Sequence, residues 1–200
     1  MKRKKEYLTI VTTTYNRGDL LQRCFQSLKE QTCKNFQWLV VDDGSTDNTE
    51  EILSKLKQEA NFEIVYVKKK NGGKHTALNA SHSYINGEFV TVVDSDDYLV
   101  KTAVEEILNT WKLYRNNEQV GMVIFLKGFS ETQPICTGGK DFEIVDTVTT
   151  KRVGNTGRDC FDVFKSELFV KYPFPEYEGE KFIGEGSSFF FIELEKREFM

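Results

Sequence analysis

FVTVVDSDD, residues 89–97, combines an apolar run with three carboxylates in four positions. The β-branched and aromatic residues predict a strand that is buried on both faces of a sheet. Three like charges repel each other and need a cation near them, yet the next basic residue along the chain is Lys101. Because residues two apart in an extended chain point the same way, we expect Asp94 and Asp96 to share one partner while Asp97 points elsewhere.

Carboxylate oxygens at this spacing suit Mg²⁺ or Mn²⁺, which are held by one or two carboxylates and keep positions for water and phosphate. A second interpretation remains open at this point. Asp-rich turns also serve as solvated turns or helix N-caps, and Asp96 or Asp97 is in place to cap a helix starting near Thr102. The other polar loops of the chain bear on this choice.

The composition predicts one globular α/β domain. The 200 residues carry a net charge of −4, with 39% hydrophobic and 29% charged residues, which are ordinary values for a domain with a substantial core. The negative charge argues against a nucleic-acid-binding protein, which normally has a basic face. An anionic substrate would therefore need local help from a metal ion, a helix amino terminus or single basic residues.

Cysteine usage and apolar runs predict a cytoplasmic protein. The four cysteines form no C-x-x-C pair, and with two histidines the sequence shows no zinc pattern. The basic start, residues 1–5, is followed by a β-like run instead of the apolar core of a signal peptide. No apolar run approaches the roughly 18 residues that span a bilayer. We interpret the basic start as a solvated tail, with peripheral contact to the inner face of the cell membrane as the alternative.

Hydrophobic periodicity predicts four strand-then-helix units and a fifth strand. The predicted strands are residues 7–14, 36–41, 62–67, 89–93 and 120–125. The predicted helices end near Glu30, are capped by Thr46 or Asp47, run from about His75 to Ile85, and start near Thr102. Such a series is typical of a Rossmann-like, mostly parallel central sheet that is flanked by helices.

Polar clusters follow the first four predicted strands directly. They are residues 13–17, 42–45, 71–74 and 94–97. In a parallel sheet, ligands bind outside the carboxyl ends of the strands. We therefore expect these four loops to converge on one site.

Beyond residue 126 the pattern loosens. Residues 142–148 and 160–164 are predicted strands, and the stretch from Ser187 to Met200 is a predicted Phe-rich helix without a capping signal at its end. No Pro- or Ser-rich linker separates this part from the rest. We expect it to be the second half of the same domain, truncated at its carboxyl end.

Several nucleotide-binding motifs are absent from the sequence. GGKHT at residues 72–76 lacks the first glycine of a P-loop, where Lys68 stands, and has His75 where a Ser or Thr should follow the lysine. The amides and the Lys74 ammonium of this loop can still face a phosphate at a helix amino terminus. No G-x-G-x-x-G follows the first strand, so a nicotinamide cofactor is disfavoured.

Three segments taken together resemble the family 2 glycosyltransferases with the GT-A fold: TIVTTTYNR at 9–17, VVDDGSTD at 40–47 and DSDD at 94–97. The resemblance implies a single GT-A domain over residues 1–200, with a nucleotide-sugar-binding half at 1–125 and an acceptor-side half at 126–200. It implies an inverting enzyme that moves a sugar from a UDP- or GDP-linked donor to an acceptor hydroxyl. The acceptor would be a glycan or a lipid-linked molecule in polysaccharide or glycolipid synthesis.

The resemblance also implies roles for individual residues. Asp43 would accept a hydrogen bond from the nucleobase, which Thr13 and Tyr15 frame. The full set of implied nucleotide-sugar-binding residues is Thr13, Tyr15, Arg17, Asp43, Lys74, Asp94 and Ser95. Mn²⁺ or Mg²⁺ would be held by Asp96 and Asp97 of the DXD motif and would stabilise charge on the leaving diphosphate. For Arg17 and Lys74, solvated loop cations are the alternative.

Inversion needs a carboxylate on the face opposite the leaving group, and in this family it comes from the second half of the domain. KFIGEG at 181–186 resembles the acid-bearing segment, which makes Glu185 the expected base. The sequence departs from the usual Glu-Asp pair because Gly186 follows Glu185. Glu180 and Asp159 are the rival residues, and a surface role without function is the remaining interpretation.

A second departure follows the third strand. Many relatives carry an Arg-Asn pair where this chain has Leu78-Asn79, so a diphosphate contact is expected to pass to Lys74 or His75. For His75, capping or packing is the alternative.

Two other functions compete with sugar transfer. A sugar-phosphate nucleotidyltransferase also binds nucleotide sugars on a related sheet, but residues 12–17 lack the Gly-rich first loop of that class. A donor-binding module without turnover is the third hypothesis. All three bind a nucleotide sugar, as donor or as product, and none of them involves nucleic acid.

Overall fold

The computed structural model describes residues 4–130, 133–135 and 160–184. Its strands are β1 (Lys4–Thr14), β2 (Phe36–Asp42), β3 (Glu63–Lys68), β4 (Gly87–Val92), β5 (Met122–Leu126), β6 (Gly128–Ser130), β7 (Gln133–Pro134) and β8 (Cys160–Lys165). Its helices are α1 (Gly18–Lys29), α2 (Thr49–Glu59), α3 (Lys74–Ser81), α4 (Ala103–Tyr114) and α5 (Ser166–Lys171). A 3₁₀ turn at His82–Tyr84 extends α3.

Six strands form one sheet in the order β3-β2-β1-β4-β8-β5, and β6 pairs with β7 separately. β3, β2, β1 and β4 run parallel to one another. β8 lies antiparallel between β4 and β5. The mostly parallel sheet predicted from the sequence is therefore confirmed, and a strand from the second half of the chain completes it.

The central strands are buried on both faces because helices cover both sides of the sheet. Successive residues alternate between two core clusters: Ile10, Trp38 and Phe89 lie in one, and Val11, Leu39 and Val90 in the other. The first cluster includes side chains of α1, α2 and α4, and the second includes side chains of α3 and α5. This arrangement confirms the predicted two-sided burial of the strand that precedes Asp94.

Some predicted boundaries need correction. The third helix ends at Ser81 and continues only as a 3₁₀ turn to Tyr84, instead of reaching Ile85 as an α-helix. The second helix begins at Thr49, after Asn48 at the N-cap position. Asp47 still provides an acceptor for the first turn of this helix. The Asp47 Oδ1 accepts hydrogen bonds from the Thr49 amide at 3.1 Å and from the Thr49 hydroxyl at 2.5 Å. These bonds lower the pKa of Asp47, the hydroxyl bond most.

The carboxylates after β4 do not cap the next helix. Thr102 occupies the N-cap position of α4, and no side-chain cap bond is formed there. The alternative that Asp96 or Asp97 serves as that cap was therefore wrong, which leaves both side chains available for another role. The fifth strand is shifted to Met122–Leu126. The predicted strand at 142–148 and the predicted helix from Ser187 lie outside the described residues.

Within the described parts of the chain, no helix is both long enough and apolar enough to cross a membrane.

We predict that the α4–sheet contact carries a large share of the stability. Trp111 is fully buried and stacks on Phe89, with ring centroids 4.5 Å apart. Trp111→Ala should lower the free energy of unfolding by about 3 to 5 kcal/mol because it removes a large buried ring and leaves a cavity. Urea unfolding followed by circular dichroism measures this change. Leu113→Ala on the same helix removes an exposed side chain and should cost less than about 0.5 kcal/mol; equal costs for the two variants would contradict the packing argument.

Candidate active site

The ends of the parallel strands are level with each other. Thr14 at the end of β1 is opposite Asp42 of β2, and Asp42 is opposite Lys68 of β3. The sheet order changes direction between β1 and β4, and such a switch point opens a crevice at the carboxyl ends of the strands. The loops after β1 and β4 therefore flank the place where a ligand is expected.

The loops after β1 and β2 are tied together by Asn16. Its backbone amide donates to Ser45 Oγ at 2.8 Å, and its Oδ1 accepts from the Thr46 amide at 2.8 Å. Asn16 has a positive φ of 52°, a conformation that asparagine tolerates better than most residues. Asn16 thus fixes the loop after β1 against the loop after β2.

Asp42 is fully buried at the end of β2 and stabilises the turn that follows it. Its Oδ1 accepts from the Ser45 amide at 2.7 Å, and its Oδ2 accepts from the Tyr66 hydroxyl at 2.7 Å. Burial, together with the bond to the Asp42 carboxylate, raises the pKa of Tyr66 well above its ordinary value. The Tyr66 hydroxyl therefore keeps its proton at neutral pH and remains a donor.

Asp43 ties the loop after β2 to the loop after β3. Its carboxylate, 5% exposed, accepts from Lys69 Nζ at 2.7 Å, Asn71 Nδ2 at 3.0 Å, and the amides of Gly72 at 3.0 Å and Gly73 at 2.7 Å. The loop amides that sequence reasoning had offered to a phosphate thus bind this carboxylate. A carboxylate has about four lone-pair sites, so a nucleobase donor has to share or replace one of these contacts.

Two glycines permit this close approach. Gly44 has a φ of +87°, and a Cβ at this position would lie 2.8 Å from the Asn71 amide nitrogen. Gly73 has a φ of +97°, and its Cβ would lie 2.0 Å from the carbonyl oxygen of Lys181. Each site combines a left-handed backbone with contact to another main chain, and only glycine meets both conditions without displacement.

Each carboxylate after β4 is paired with a cation from another part of the chain. Lys74 Nζ lies 2.6 Å from Asp94, Arg17 3.5 Å from Asp96, and Lys127 3.6 Å from Asp97. Lys101, the nearest basic residue in sequence, pairs with Glu30 instead. The positive partners that the sequence required are therefore present, and they come from residues that follow β1, β3 and β5. The expectation that Asp94 and Asp96 share one partner is wrong for these protein cations, because residues 94–97 form a turn, in which the Asp97 amide donates to the Asp94 carbonyl at 3.0 Å, and not an extended chain.

The carboxylates after β4 fit a divalent ion that is shared with a ligand. The side chains of Asp94, Asp96 and Asp97 are 41%, 55% and 46% exposed, so solvent ions reach them. Among residues 4–130, 133–135 and 160–184, no three His, Cys, Asp or Glu side chains are grouped closely enough to hold a metal ion by themselves. This donor set suits Mg²⁺ or Mn²⁺, which bind through one or two carboxylates and complete their coordination with water and phosphate oxygens.

The remaining predicted binding residues lie at the same edge of the sheet. Thr13 is the partly buried penultimate residue of β1, and Tyr15 follows the strand with 47% of its surface exposed. Ser95 is buried in the loop after β4. Arg23, which the sequence did not single out, donates to the Asp96 carbonyl oxygen and stacks over Tyr98 at 4.9 Å. These contacts hold the loop after β4 against α1.

Lys69 was not among the candidate site residues that the sequence indicated. Lys69 Nζ binds Asp43 Oδ1, the Lys70 carbonyl and Thr76 Oγ1, each at 2.7 Å. Lys68 reaches outward to Glu50, and Lys70 is exposed. The signal for Lys69 was its position one residue past β3, where the side chain turns back toward the end of β2.

Two residues of α3, the helix that follows this loop, were expected to bear on diphosphate binding: Leu78 and His75. Leu78 is fully buried in the core, so it makes no polar contact where relatives have arginine. His75 is 1% exposed, and in the described part of the chain neither ring nitrogen has a hydrogen-bond partner. It is packed in the first turn of α3 without acting as a cap.

The candidate bases fall largely outside the described residues. Glu185 and Asp159 are both beyond them, and their roles remain predictions. Glu180 is described and exposed, and its Oε1 accepts from the Phe182 amide at 2.8 Å, which stabilises a local turn. Glu185 directly follows Gly184 in the sequence. Ile183, the residue before Gly184, packs against the second core cluster.

Comparisons with known proteins agree with this geometry. The sequence pattern described as Glycosyl transferase family 2 matches residues 9–156. The poly(ribitol-phosphate) beta-glucosyltransferase of Bacillus spizizenii is 30% identical over 150 residues, which are 70% of this chain and 23% of that protein. The chain spans 34% or less of the length of several other curated relatives that it matches.

Solved structures share the fold at low sequence identity. S. aureus TarS 1-349 in complex with UDP-GlcNAc superposes with a TM-score of 0.62 at 22% identity, covering 85% of this chain and 49% of that one. The mannosyltransferase PcManGT from Pyrobaculum calidifontis, in complex with GDP-Man and Mn²⁺, gives a TM-score of 0.59 at 21% identity, covering 83% and 47%. The family match extends over more than half of the chain. The chain therefore belongs to glycosyl transferase family 2, and its sheet, helices and loops form a GT-A fold.

Proposed function

We propose that this chain is the GT-A domain of an inverting, metal-dependent glycosyltransferase, with a nucleotide-sugar-binding half at residues 1–125 and an acceptor-side half at 126–200. It would move a sugar from a UDP- or GDP-linked donor to an acceptor hydroxyl on a glycan or a lipid-linked molecule in polysaccharide or glycolipid synthesis. The observation that carries the proposal is the meeting of three loops around one crevice, where Lys74 pairs with Asp94 and Arg17 pairs with Asp96. The similar proteins bound to UDP-GlcNAc or to GDP-Man and Mn²⁺ support the donor class.

The nucleobase is proposed to bind between Tyr15 and Asp43. Tyr15 offers a half-exposed ring at the mouth of the crevice, and Thr13 lies beside it on β1. Lys69 is the donor on Asp43 that a base N–H can replace most easily, because its ammonium group has two other acceptors, the Lys70 carbonyl and Thr76 Oγ1. The amides of Gly72 and Gly73 would continue to hold the carboxylate.

The diphosphate is proposed to lie along the carboxylates after β4. Asp96 and Asp97 would hold Mn²⁺ or Mg²⁺, while Asp94 and Ser95 would contact the nucleotide sugar. When bound, the ion supplies positive charge that stabilises the leaving diphosphate. Arg17 and Lys74 already lie at this edge of the sheet, and a diphosphate would compete with Asp96 and Asp94 for them.

The transfer itself needs a base on the opposite side of the sugar. We assign this role to Glu185, which follows the described segment at Gly184. Its carboxylate would take the proton of the acceptor hydroxyl as the acceptor oxygen forms a bond to the anomeric carbon. The bond between that carbon and the diphosphate oxygen breaks at the same time, so the configuration inverts and a nucleoside diphosphate leaves.

A sugar-phosphate nucleotidyltransferase is the second candidate, and a donor-binding module without turnover the third. They are distinguished by product: transfer or hydrolysis releases nucleoside diphosphate, nucleotidyl transfer releases pyrophosphate, and the module releases neither. The family match at residues 9–156 favours the first. We further propose a cytoplasmic location, with peripheral contact to the inner face of the membrane as the alternative.

We predict that Asp96→Asn abolishes metal-supported nucleotide binding. UDP or GDP with MnCl₂ should raise the melting temperature of the wild-type chain, because a ligand at 100 times its Kd stabilises the native state by about 2.7 kcal/mol. The variant should lose the part of this shift that depends on MnCl₂. Asp19→Asn, an exposed carboxylate on α1, is the matched control and should retain it. An unchanged nucleotide affinity of Asp96→Asn in MnCl₂ would refute the role of Asp96.

We predict that Glu185→Gln keeps donor binding and loses turnover. Removing a general base typically costs about 10² to 10⁴-fold in rate, whereas the neutral amide leaves the donor half unchanged. Mn²⁺-dependent release of UDP from UDP-GlcNAc, or of GDP from GDP-mannose, gives the rate. Glu167→Gln on α5 is the control for the same substitution at an exposed position. Undiminished turnover by Glu185→Gln would exclude Glu185 as the base.

A further inference from the structure

Asn79 on α3 binds a segment that is almost a hundred positions away in sequence. Its Nδ2 donates to the Phe174 carbonyl at 2.9 Å and to Glu176 Oε1 at 2.7 Å, and its Oδ1 accepts from the Phe174 amide at 2.8 Å. Both backbone polar groups of Phe174 are thus bonded to one side chain. A primary amide can satisfy an N–H and a C=O at once through two different atoms, which an ionised carboxylate cannot do because it has no donor.

The segment held in this way is residues 172–184, which follow α5 and which we call the strap. Phe174 is buried at 3% exposure in the second core cluster, and Ile183 packs against the same cluster. At the other end of α3, the Lys181 carbonyl lies against Gly73, where a Cβ would approach it to 2.0 Å. The strap therefore runs along α3 and contacts it near both ends.

The same helix begins in the donor-site loop. Gly73 donates its amide to Asp43, and Lys74, the first residue of α3, pairs with Asp94. α3 is eight residues long, so the rise from its first residue to Asn79 is only about 8 Å. Because a helix is stiff over this length, α3 sets where the strap lies relative to the loop that holds Asp43, while the contacts of Asp43 with that loop do not involve Asn79.

We propose that Asn79 is a positioning residue for sugar transfer: it holds the strap on α3 and so fixes the position of Gly184, the residue directly before Glu185. This inference rests on the proposed function, since Glu185 is the first residue after the strap. Asn79 itself does not touch the reacting atoms in this account. Its loss should leave the nucleotide site intact and misplace the acceptor side.

The first test separates nucleotide affinity from turnover in the full chain. Asn79→Ala should keep the Kd for UDP with MnCl₂ within about twofold of wild type, or that for GDP if GDP is the stabilising nucleotide. Turnover of the corresponding sugar donor should fall about 10 to 100-fold, since a displacement of about 1 Å at a reacting group costs that much. Asn109→Ala removes the same amide from an exposed position on α4 and should change neither quantity.

The second test measures the strap itself. Hydrogen–deuterium exchange of residues 172–184 should become faster in Asn79→Ala, because the Phe174 amide loses its acceptor. The peptides that contain β1 and β2 should exchange at wild-type rates. Unchanged exchange in the strap would overturn the inference, and so would unchanged turnover or an equal loss of affinity and turnover.

A compensating pair provides a positive control. Asn79→Asp keeps an acceptor for the Phe174 amide but places a negative oxygen beside the Phe174 carbonyl and Glu176. Adding Glu176→Gln replaces the carboxylate of Glu176 with an amide, whose N–H can donate to the new carboxylate at position 79. The double variant should therefore recover turnover at least in part. A double variant no better than Asn79→Asp would contradict the assigned contacts. A wild-type chain that binds neither UDP nor GDP would instead contradict the proposed function, and the exchange measurement would then decide the Asn79 inference by itself.

Discussion

The carboxylate of Asp43 is the contact on which the donor edge of the sheet depends. It is nearly buried, and it accepts from an ammonium group, a side-chain amide and two backbone amides of the loop after β3. A buried charge without partners is costly, and removing one member of a buried ion pair typically costs about 3 to 5 kcal/mol. Pairing of the Asp43 carboxylate therefore favours a conformation in which the loop after β3 closes over the end of β2. This closure places Gly73 and Lys74 at the start of α3.

From this contact the charges of the crevice follow in order. Lys74 reaches Asp94, and the loop after β1, fixed by Asn16, brings Arg17 to Asp96. Three carboxylates can therefore end one buried strand because each has a cation from a different loop, with Lys127 serving Asp97. All of these side chains except Lys127 are more than a third exposed, so each pair contributes little stability. In the proposed function, these cations would exchange their carboxylate partners for the oxygens of a bound diphosphate.

The sequence predicted this edge well because its signals are local. A β-branched run followed by Asp94, or by Asp42 and Asp43, marks a strand and the polar loop after it, and parallel strands place such loops together. The pairing of β8 between β4 and β5 was not predictable in this way, because it joins segments whose common register is set by tertiary packing. Lys69 and Asn79 were missed as contacts for the same reason. Each has an ordinary sequence context, and its role appears only when Asp43 and Phe174 lie next to it.

The central claim is that loops from four strands act as one nucleotide site, and amide hydrogen exchange of the full chain with and without UDP or GDP and MnCl₂ tests it most directly. The account predicts slower exchange on ligand addition in residues 13–17, 42–46, 69–74 and 94–97 together, because binding stabilises the loops that touch the ligand. α4 and the 3₁₀ turn should be unaffected. Protection confined to one of these loops, or found only away from this edge, would contradict the account.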